Sequence, residues 1–132
     1  MLEPGRQATV EETVTEDMTA DRLGSGDVPV LGTPAVLALV EAAAVAAVSD
    51  ALEPETTSVG SSVDLDHLAP TPVGGTVTAT AALAEVDGRR LTFRFEVTDA
   101  AGPVARGTHV RVVVDRDRFL GTARDRGRRD GR

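Results

Sequence analysis

One long apolar segment dominates the pattern of hydrophobic and polar positions along this chain. Between Thr33 and Leu52, apolar residues recur at the spacing of an α-helix, and Pro54 then stops the pattern. Thr33 followed by Pro34 favours a helix start, because Thr can cap free amides and Pro is tolerated in the first turn. We therefore predict a long helix that Thr33 caps, with Glu41 as the only charged residue in its apolar part.

Alternating and β-branched segments predict five strands around this helix. The first covers residues 7–15, and the other four cover residues 57–68, 76–87, 90–98 and 104–115. Residues 19–32, rich in Gly and Asp, are predicted to form a loop or lid. One strand, one long helix and a run of four strands is an α+β pattern, with the helix packed on one antiparallel sheet. A small sheet around one Ala-rich helix resembles the hotdog architecture, whose exposed sheet edge a dimer commonly covers.

Three polar residues stand where the surrounding pattern is apolar. Thr33 opens the long helix, Glu41 lies within it, and His67 ends the second strand. Strict alternation places His67 on the face of Val63 and opposite to Gly60. A hydroxyl, a carboxylate and an imidazole are the ingredients of acyl-transfer chemistry. Each also has a purely structural interpretation, as a helix cap, a solvent-facing charge and a core histidine respectively.

Composition narrows the class of protein. The 132 residues suit one domain, and the absence of Cys excludes thiolate chemistry and Cys-ligated zinc. With only two His, no metal site is expected. A net charge of −7 argues against a nucleic-acid partner. The first residues resemble no secretory signal. The longest apolar run, residues 34–48, is interrupted by Glu41 and is expected to be too short to cross a bilayer. These features predict a cytoplasmic protein without a membrane partner.

The end of the chain has a different composition. Residues 115–132 contain seven of the fourteen Arg, and residues 124–132 are all Arg, Asp or Gly. High charge and low hydrophobicity are typical of disordered segments. We therefore predict one domain over residues 1–120 and a disordered tail over residues 121–132. The tail could solubilise the protein or bind a phosphate or a partner.

Several short motifs follow one another in a fixed order along the chain. They are Glu41, Gly60, His67 with Ala-Pro-Thr-Pro-Val-Gly-Gly after it, Thr76-Val-Thr-Ala-Thr-Ala, Asp87-Gly-Arg-Arg-Leu91 and Gly107-Thr-His-Val-Arg111. Over residues 30–119 this order resembles the fluoroacetyl-CoA thioesterases, a branch of the hotdog thioesterases. The resemblance implies a catalytic set of Thr33, Glu41 and His67. It also implies that the Gly60 amide helps hold the substrate carbonyl, that Arg111 lies close to the site, and that the protein is a homodimer with active sites near its interface.

The resemblance predicts an acyl-CoA thioesterase that releases a free acid and CoA, with no cofactor other than the CoA of its substrate. Glu41 could attack the thioester directly or act as a base for water. The fluoroacetyl enzyme carries aromatic residues in its lid, whereas residues 23–29 contain none. We therefore predict an enzyme that is not selective for fluoroacetyl-CoA. The alternative is a non-catalytic hotdog module that binds an acyl-CoA or another small ligand.

Overall fold

The computed structural model describes residues 2–129. Its strands are β1 (Gln7–Thr13), β2 (Thr56–His67), β3 (Thr76–Asp87), β4 (Arg90–Asp99) and β5 (Gly102–Asp115). Its α-helices are α1 (Ala20–Leu23), α2 (Thr33–Val48) and α3 (Arg116–Arg129), with short 3₁₀ turns at Glu16–Met18 and Ser49–Ala51. The five predicted strands are confirmed, and each begins and ends within two residues of its predicted bounds.

The five strands form one antiparallel sheet in the order β1-β3-β4-β5-β2. Helix α2 packs on this sheet through a face made largely of Ala and Val, which lets the sheet approach closely. Its buried residues are Val36, Leu39, Val40, Ala43, Ala44, Ala47 and Val48. On the sheet, the inward side of β4 supplies Leu91, Phe93, Phe95 and Val97, all buried. The predicted α+β hotdog fold, with one central helix on a five-stranded sheet, is confirmed.

The start of α2 differs from the predicted cap. Gly32 is the capping residue, Thr33 is the first helical residue, and no side chain caps the free amides. A Cβ on Gly32 would lie 3.0 Å from the Ala20 Cα, a tight contact that disfavours a capping side chain at this position. The Thr33 hydroxyl is directed away from the helix amides and towards His67.

Strand β2 contains a bulge that the alternation rule did not predict. Gly60 pairs with Arg111 and Ser62 pairs with the preceding residue of β5, so that Ser61 is an extra residue in β2. One extra residue reverses which side each later residue faces. Gly60 therefore lies on the same face as His67, and the prediction that they face opposite sides was wrong.

The lid segment is tied to its surroundings at both ends. Helix α1 occupies part of it, and the Ala20 amide donates to the Val30 carbonyl at 2.9 Å. The Gly32 amide donates to the Met18 carbonyl, also at 2.9 Å. Residues 24–27, which join these anchored parts, are exposed. The lid is therefore a short hydrogen-bonded hairpin-like segment with an open tip.

The C-terminal segment is helical over residues 116–129, where a disordered tail was predicted from residue 121. Arg is a good helix former, and this helix has Asp117 in its first turn and three Arg in its last, which suits the helix dipole. None of its side chains is buried. Residues 130–132 of the predicted tail lie outside the described residues.

By length and composition alone, the 19-residue segment Thr33–Ala51 could cross a membrane, because its mean hydropathy is 1.6. The expectation that it was too short was therefore wrong. In the fold this segment includes the helix that packs on the sheet, and a core helix passes the same test.

Candidate active site

The first cluster of functional groups joins the start of α2 to the end of β2. The Thr33 Oγ1 and His67 Nδ1 atoms are hydrogen bonded at 2.8 Å. The other ring nitrogen, His67 Nε2, is buried and has no hydrogen-bond partner among residues 2–129. A buried polar atom without a partner is uncommon and marks a place where a ligand or another chain can complete the site. The Thr33 hydroxyl therefore occupies one ring nitrogen, and Nε2 is left without a partner among the described residues.

The second cluster is centred on Glu41, which lies two turns further along α2. Arg111 Nη1 donates to Glu41 Oε2 at 3.2 Å, and the two side chains are 7% and 41% exposed respectively. Ser58 holds the same guanidinium from β2: Arg111 Nε donates to its hydroxyl and Nη2 to its carbonyl, each at 2.9 Å. Because the arginine is buried and held at several atoms, it fixes the position of the Glu41 carboxylate.

Gly60 lies directly against this carboxylate. A Cβ at this position would be 2.7 Å from Glu41 Oε2 and 3.4 Å from His109 Cε1. Atoms at the first of these distances clash, so a side chain on Gly60 would displace Glu41. The absence of a side chain here lets the backbone of β2 approach the Glu41 carboxylate closely.

A surface cavity of about 190 Å³ opens beside the carboxylate. It is lined by Leu37, Glu41, Gly60, Ser61, Ser62, Val63 and His109. The lining combines a carboxylate with apolar and small residues, as small-molecule sites commonly do.

Within one chain, the predicted site residues form two separate clusters. Thr33 and His67 are together, Glu41, Gly60 and Arg111 are together, and neither Thr33 nor His67 is among the residues that line the cavity. Eight residues of α-helix separate Thr33 from Glu41, a rise of about 12 Å along the helix axis. A single chain therefore does not place the imidazole beside the carboxylate.

The start of α2 offers one backbone donor to a ligand. The Gly32 amide is bonded to Met18, and the amides of Ala35 and Val36 are bonded to the Gly32 carbonyl. Pro34 has no amide hydrogen. Among the described residues this leaves the Thr33 amide as the free donor at this helix end, where the helix dipole favours negative charge.

His109 is a further member of the second cluster. Its side chain is 2% exposed and lies between the Ser62 carbonyl, 2.8 Å from Nδ1, and Arg111 Nη1, 3.1 Å from Nε2. Burial lowers the pKa of His109, and the nearby Arg111 charge lowers it further, against the raising effects of the Ser62 bond and Glu41. Its two-residue spacing from Arg111 already placed both side chains on one face of β5, but spacing alone does not distinguish a functional histidine from a structural one. Ser58, the arginine's main anchor, carried no comparable signal.

A five-stranded antiparallel sheet around one long helix defines the hotdog fold. Residues 14–117 match the model of the family described as fluoroacetyl-CoA-specific thioesterase, and the chain belongs to this family. It is similar to the fluoroacetyl-CoA thioesterase of Streptantibioticus cattleyicolor, with 38% identity over 97 residues, or 74% of this chain and 70% of that protein.

Solved structures agree with this placement. A structure of the fluoroacetyl-CoA thioesterase FlK superimposes with a TM-score of 0.89 at 32% identity, covering 95% of this chain and 97% of that one. A hypothetical protein of Thermus thermophilus, a member of the thioesterase superfamily, superimposes with the same TM-score of 0.89 at 26% identity. That match covers 98% of this chain and 96% of the Thermus chain.

Proposed function

We infer that this protein is an acyl-CoA thioesterase, which hydrolyses a thioester bond to a free acid and CoA. The observation that supports this best is the Glu41 carboxylate, which a buried arginine holds at a small cavity in a member of a thioesterase family. A thioester is an activated acyl group, so the enzyme mainly needs a positioned attacking group and donors for the developing oxyanion. The groups around the cavity match these needs.

We assign the chemical roles as follows. Glu41 either attacks the thioester carbonyl, giving a mixed anhydride that water opens, or takes a proton from the attacking water. In both routes the carbon–sulfur bond breaks, the acyl group gains the oxygen of water, and the thiolate gains a proton. His67 Nε2 supplies or relays that proton, and Thr33 holds its ring. The amides of Gly60 and Thr33 are the proposed donors to the carbonyl oxygen.

We propose that the working form is a homodimer, because the two clusters are separate within one chain. Strand β2 is at one edge of the sheet, and its residues 60–64 are exposed. The helix beside it also exposes an uncharged stripe of small apolar residues, namely Ala38, Ala42, Val45 and Ala46. A second copy that continues the sheet along β2 would cover both surfaces.

Strand geometry gives the proposed dimer a definite register. If two copies of β2 pair antiparallel about a twofold axis that passes through Asp64, and Ser61 stays outside the pairing as it does against β5, His67 lies opposite Gly60 of the partner subunit. Residues opposite one another on paired strands have Cβ positions about 5 Å apart and point to the same face. This register brings the imidazole of one subunit to the carboxylate of the other, and each dimer then contains two composite sites.

Substrate preference and cellular context are further parts of the proposal. Residues 23–29 of the lid contain no aromatic side chain, and the lid tip is exposed, so the acyl group is only loosely enclosed. We therefore propose that the enzyme does not select strongly for fluoroacetyl-CoA. We also propose that it acts in the cytoplasm, without a metal or cofactor of its own and without a nucleic-acid partner.

The test is a thiol-release assay with acetyl-, fluoroacetyl-, medium-chain and aryl-CoA, run with and without a chelator. Hydrolysis of at least one substrate above the rate without enzyme, unaffected by the chelator, is the expected result. Binding of these thioesters without thiol release, measured by calorimetry, would contradict the proposal and indicate a non-catalytic binding module.

A further inference from the structure

The buried imidazole of His109 makes two hydrogen bonds whose partners have fixed roles. The Ser62 carbonyl at 2.8 Å can only accept, so His109 Nδ1 must carry a hydrogen. The Arg111 Nη1 atom at 3.1 Å can only donate, so Nε2 must be unprotonated. Only the neutral ring with its hydrogen on Nδ1 satisfies both contacts. The lowered pKa of His109 agrees with a neutral ring at neutral pH.

This ring completes the set of contacts that holds the arginine. The Ser58 hydroxyl and carbonyl accept hydrogen bonds from Arg111 Nε and Nη2 respectively. The remaining nitrogen, Nη1, has two acceptors, Glu41 Oε2 and His109 Nε2. Each Nη1 hydrogen therefore has its own acceptor, which sets the orientation of the whole guanidinium plane. Without the imidazole, a buried N–H would lose its partner and the group could rotate away from Glu41.

The same ring also holds the bulge of β2. Ser62 directly follows the extra residue Ser61, and its carbonyl is bonded to His109 Nδ1. The bulge sets the side that Gly60 faces, and Gly60 is in contact distance of the Glu41 carboxylate. One imidazole thus connects the carboxylate, through Arg111, to the strand segment on the opposite side of the cavity. The groups that face the ring are Arg111 of β5, Glu41 of α2, Ser62 of β2 and Phe93 of β4.

We propose that His109 is a positioning residue for thioester hydrolysis, which in its neutral Nδ1–H form holds Arg111 on Glu41 and fixes the Ser61 bulge. This inference rests on the proposed function, because its kinetic part requires a measurable hydrolysis rate. It assigns His109 no contact with the reacting atoms. It gives the two histidines of the chain different proposed roles: His67 transfers the proton, and His109 holds Arg111 and the Ser62 carbonyl in place.

Two substitutions of His109 test the proposal. His109→Leu keeps an apolar side chain of similar size but accepts no hydrogen bond, whereas His109→Gln keeps an acceptor for Arg111 and a donor for Ser62. We expect His109→Leu to lower kcat about 10- to 100-fold with KM changed less than about threefold, as loss of one buried hydrogen-bond partner implies. We expect His109→Gln to recover kcat to within about fivefold of the unsubstituted protein.

A third variant, Val77→Ala, calibrates the effect of lost stability alone. Val77 is fully buried on β3 and takes no part in the arginine's contacts. If Val77→Ala lowers Tm as much as His109→Leu but leaves kcat unchanged, the loss in His109→Leu comes from positioning. Equal losses of kcat in the Leu and Gln variants, or kcat in His109→Leu within twofold of the unsubstituted protein, would overturn the proposal.

The ring form is measured on the unsubstituted protein, independently of activity. Spectra that record the ¹⁵N shifts of both ring nitrogens at neutral pH should show a neutral His109 with its hydrogen on Nδ1. A His109 with its hydrogen on Nε2, or a charged ring, would overturn the proposal even if the Leu variant does not fold. If the protein hydrolysed no thioester, this spectrum would still test the hydrogen-bond arrangement, so failure of the function and failure of the inference are distinguishable.

Discussion

Substitution of Gly60 by alanine should separate catalysis from stability at this site. The added Cβ would be 2.7 Å from Glu41 Oε2, whereas ordinary contacts begin near 3.4 Å, so the carboxylate must move by about 0.7 Å. The atom in the way is the far end of a flexible side chain, and the fold can therefore accept the change cheaply. A catalytic group misplaced by about 1 Å can cost about 100-fold in rate. That factor corresponds to about 2.7 kcal/mol of lost transition-state stabilisation.

The assay for Gly60→Ala is steady-state thiol release together with thermal unfolding. We expect kcat to fall about 100-fold, while Tm stays close to that of the unsubstituted protein. Gly121→Ala is the control, because a Cβ at Gly121 would contact only the Arg124 side chain at 3.9 Å, on the exposed helix α3. It should leave kcat unchanged. A Gly60→Ala enzyme with kcat within threefold of the unsubstituted protein would refute the argument that Glu41 must hold this position.

Three further predictions follow from the site, the dimer and the lid. His67→Ala and Glu41→Ala should each lower kcat by about 100-fold or more, as loss of a positioned acid or base group does, with the fold intact by circular dichroism; near-normal turnover would remove that residue from the mechanism. Ala42→Arg should convert the dimer to a monomer, measured by light scattering, and lower kcat about 100-fold in the thiol-release assay. The control Ala123→Arg on α3 should change neither the oligomeric state nor kcat, and a fully active monomer would contradict the composite site. Fluoroacetyl-CoA should be preferred over acetyl-CoA by no more than about tenfold in kcat/KM, because modest pocket differences contribute about 1–3 kcal/mol; a preference of several orders of magnitude would show that selectivity does not need lid aromatics.

The sequence by itself determined the elements and most of their bounds, since each depends on a local repeat. Helical spacing after Thr33 predicted α2, and strict alternation predicted which side chains of β4 are buried. The hairpin between β3 and β4 followed from Asp87-Gly88, where Gly88 has a φ of +60° that favours glycine. Each of these patterns involves only residues that are neighbours in sequence, so it can be recognised without knowledge of the fold.

Only the tertiary structure decided how the site is arranged. The Ser61 bulge, which turns Gly60 towards Glu41, depends on the register between β2 and β5, and register is a property of two distant strands. The contacts of His109 and Ser58 likewise depend on the Arg111 side chain. It reaches from β5 to Ser58 on β2, which lies 53 positions earlier in the sequence. The pairing of the Thr33 hydroxyl with His67 replaced a local cap with a contact across 34 positions. Local periodicity specifies which face a residue can occupy, but only packing specifies which distant group it meets there.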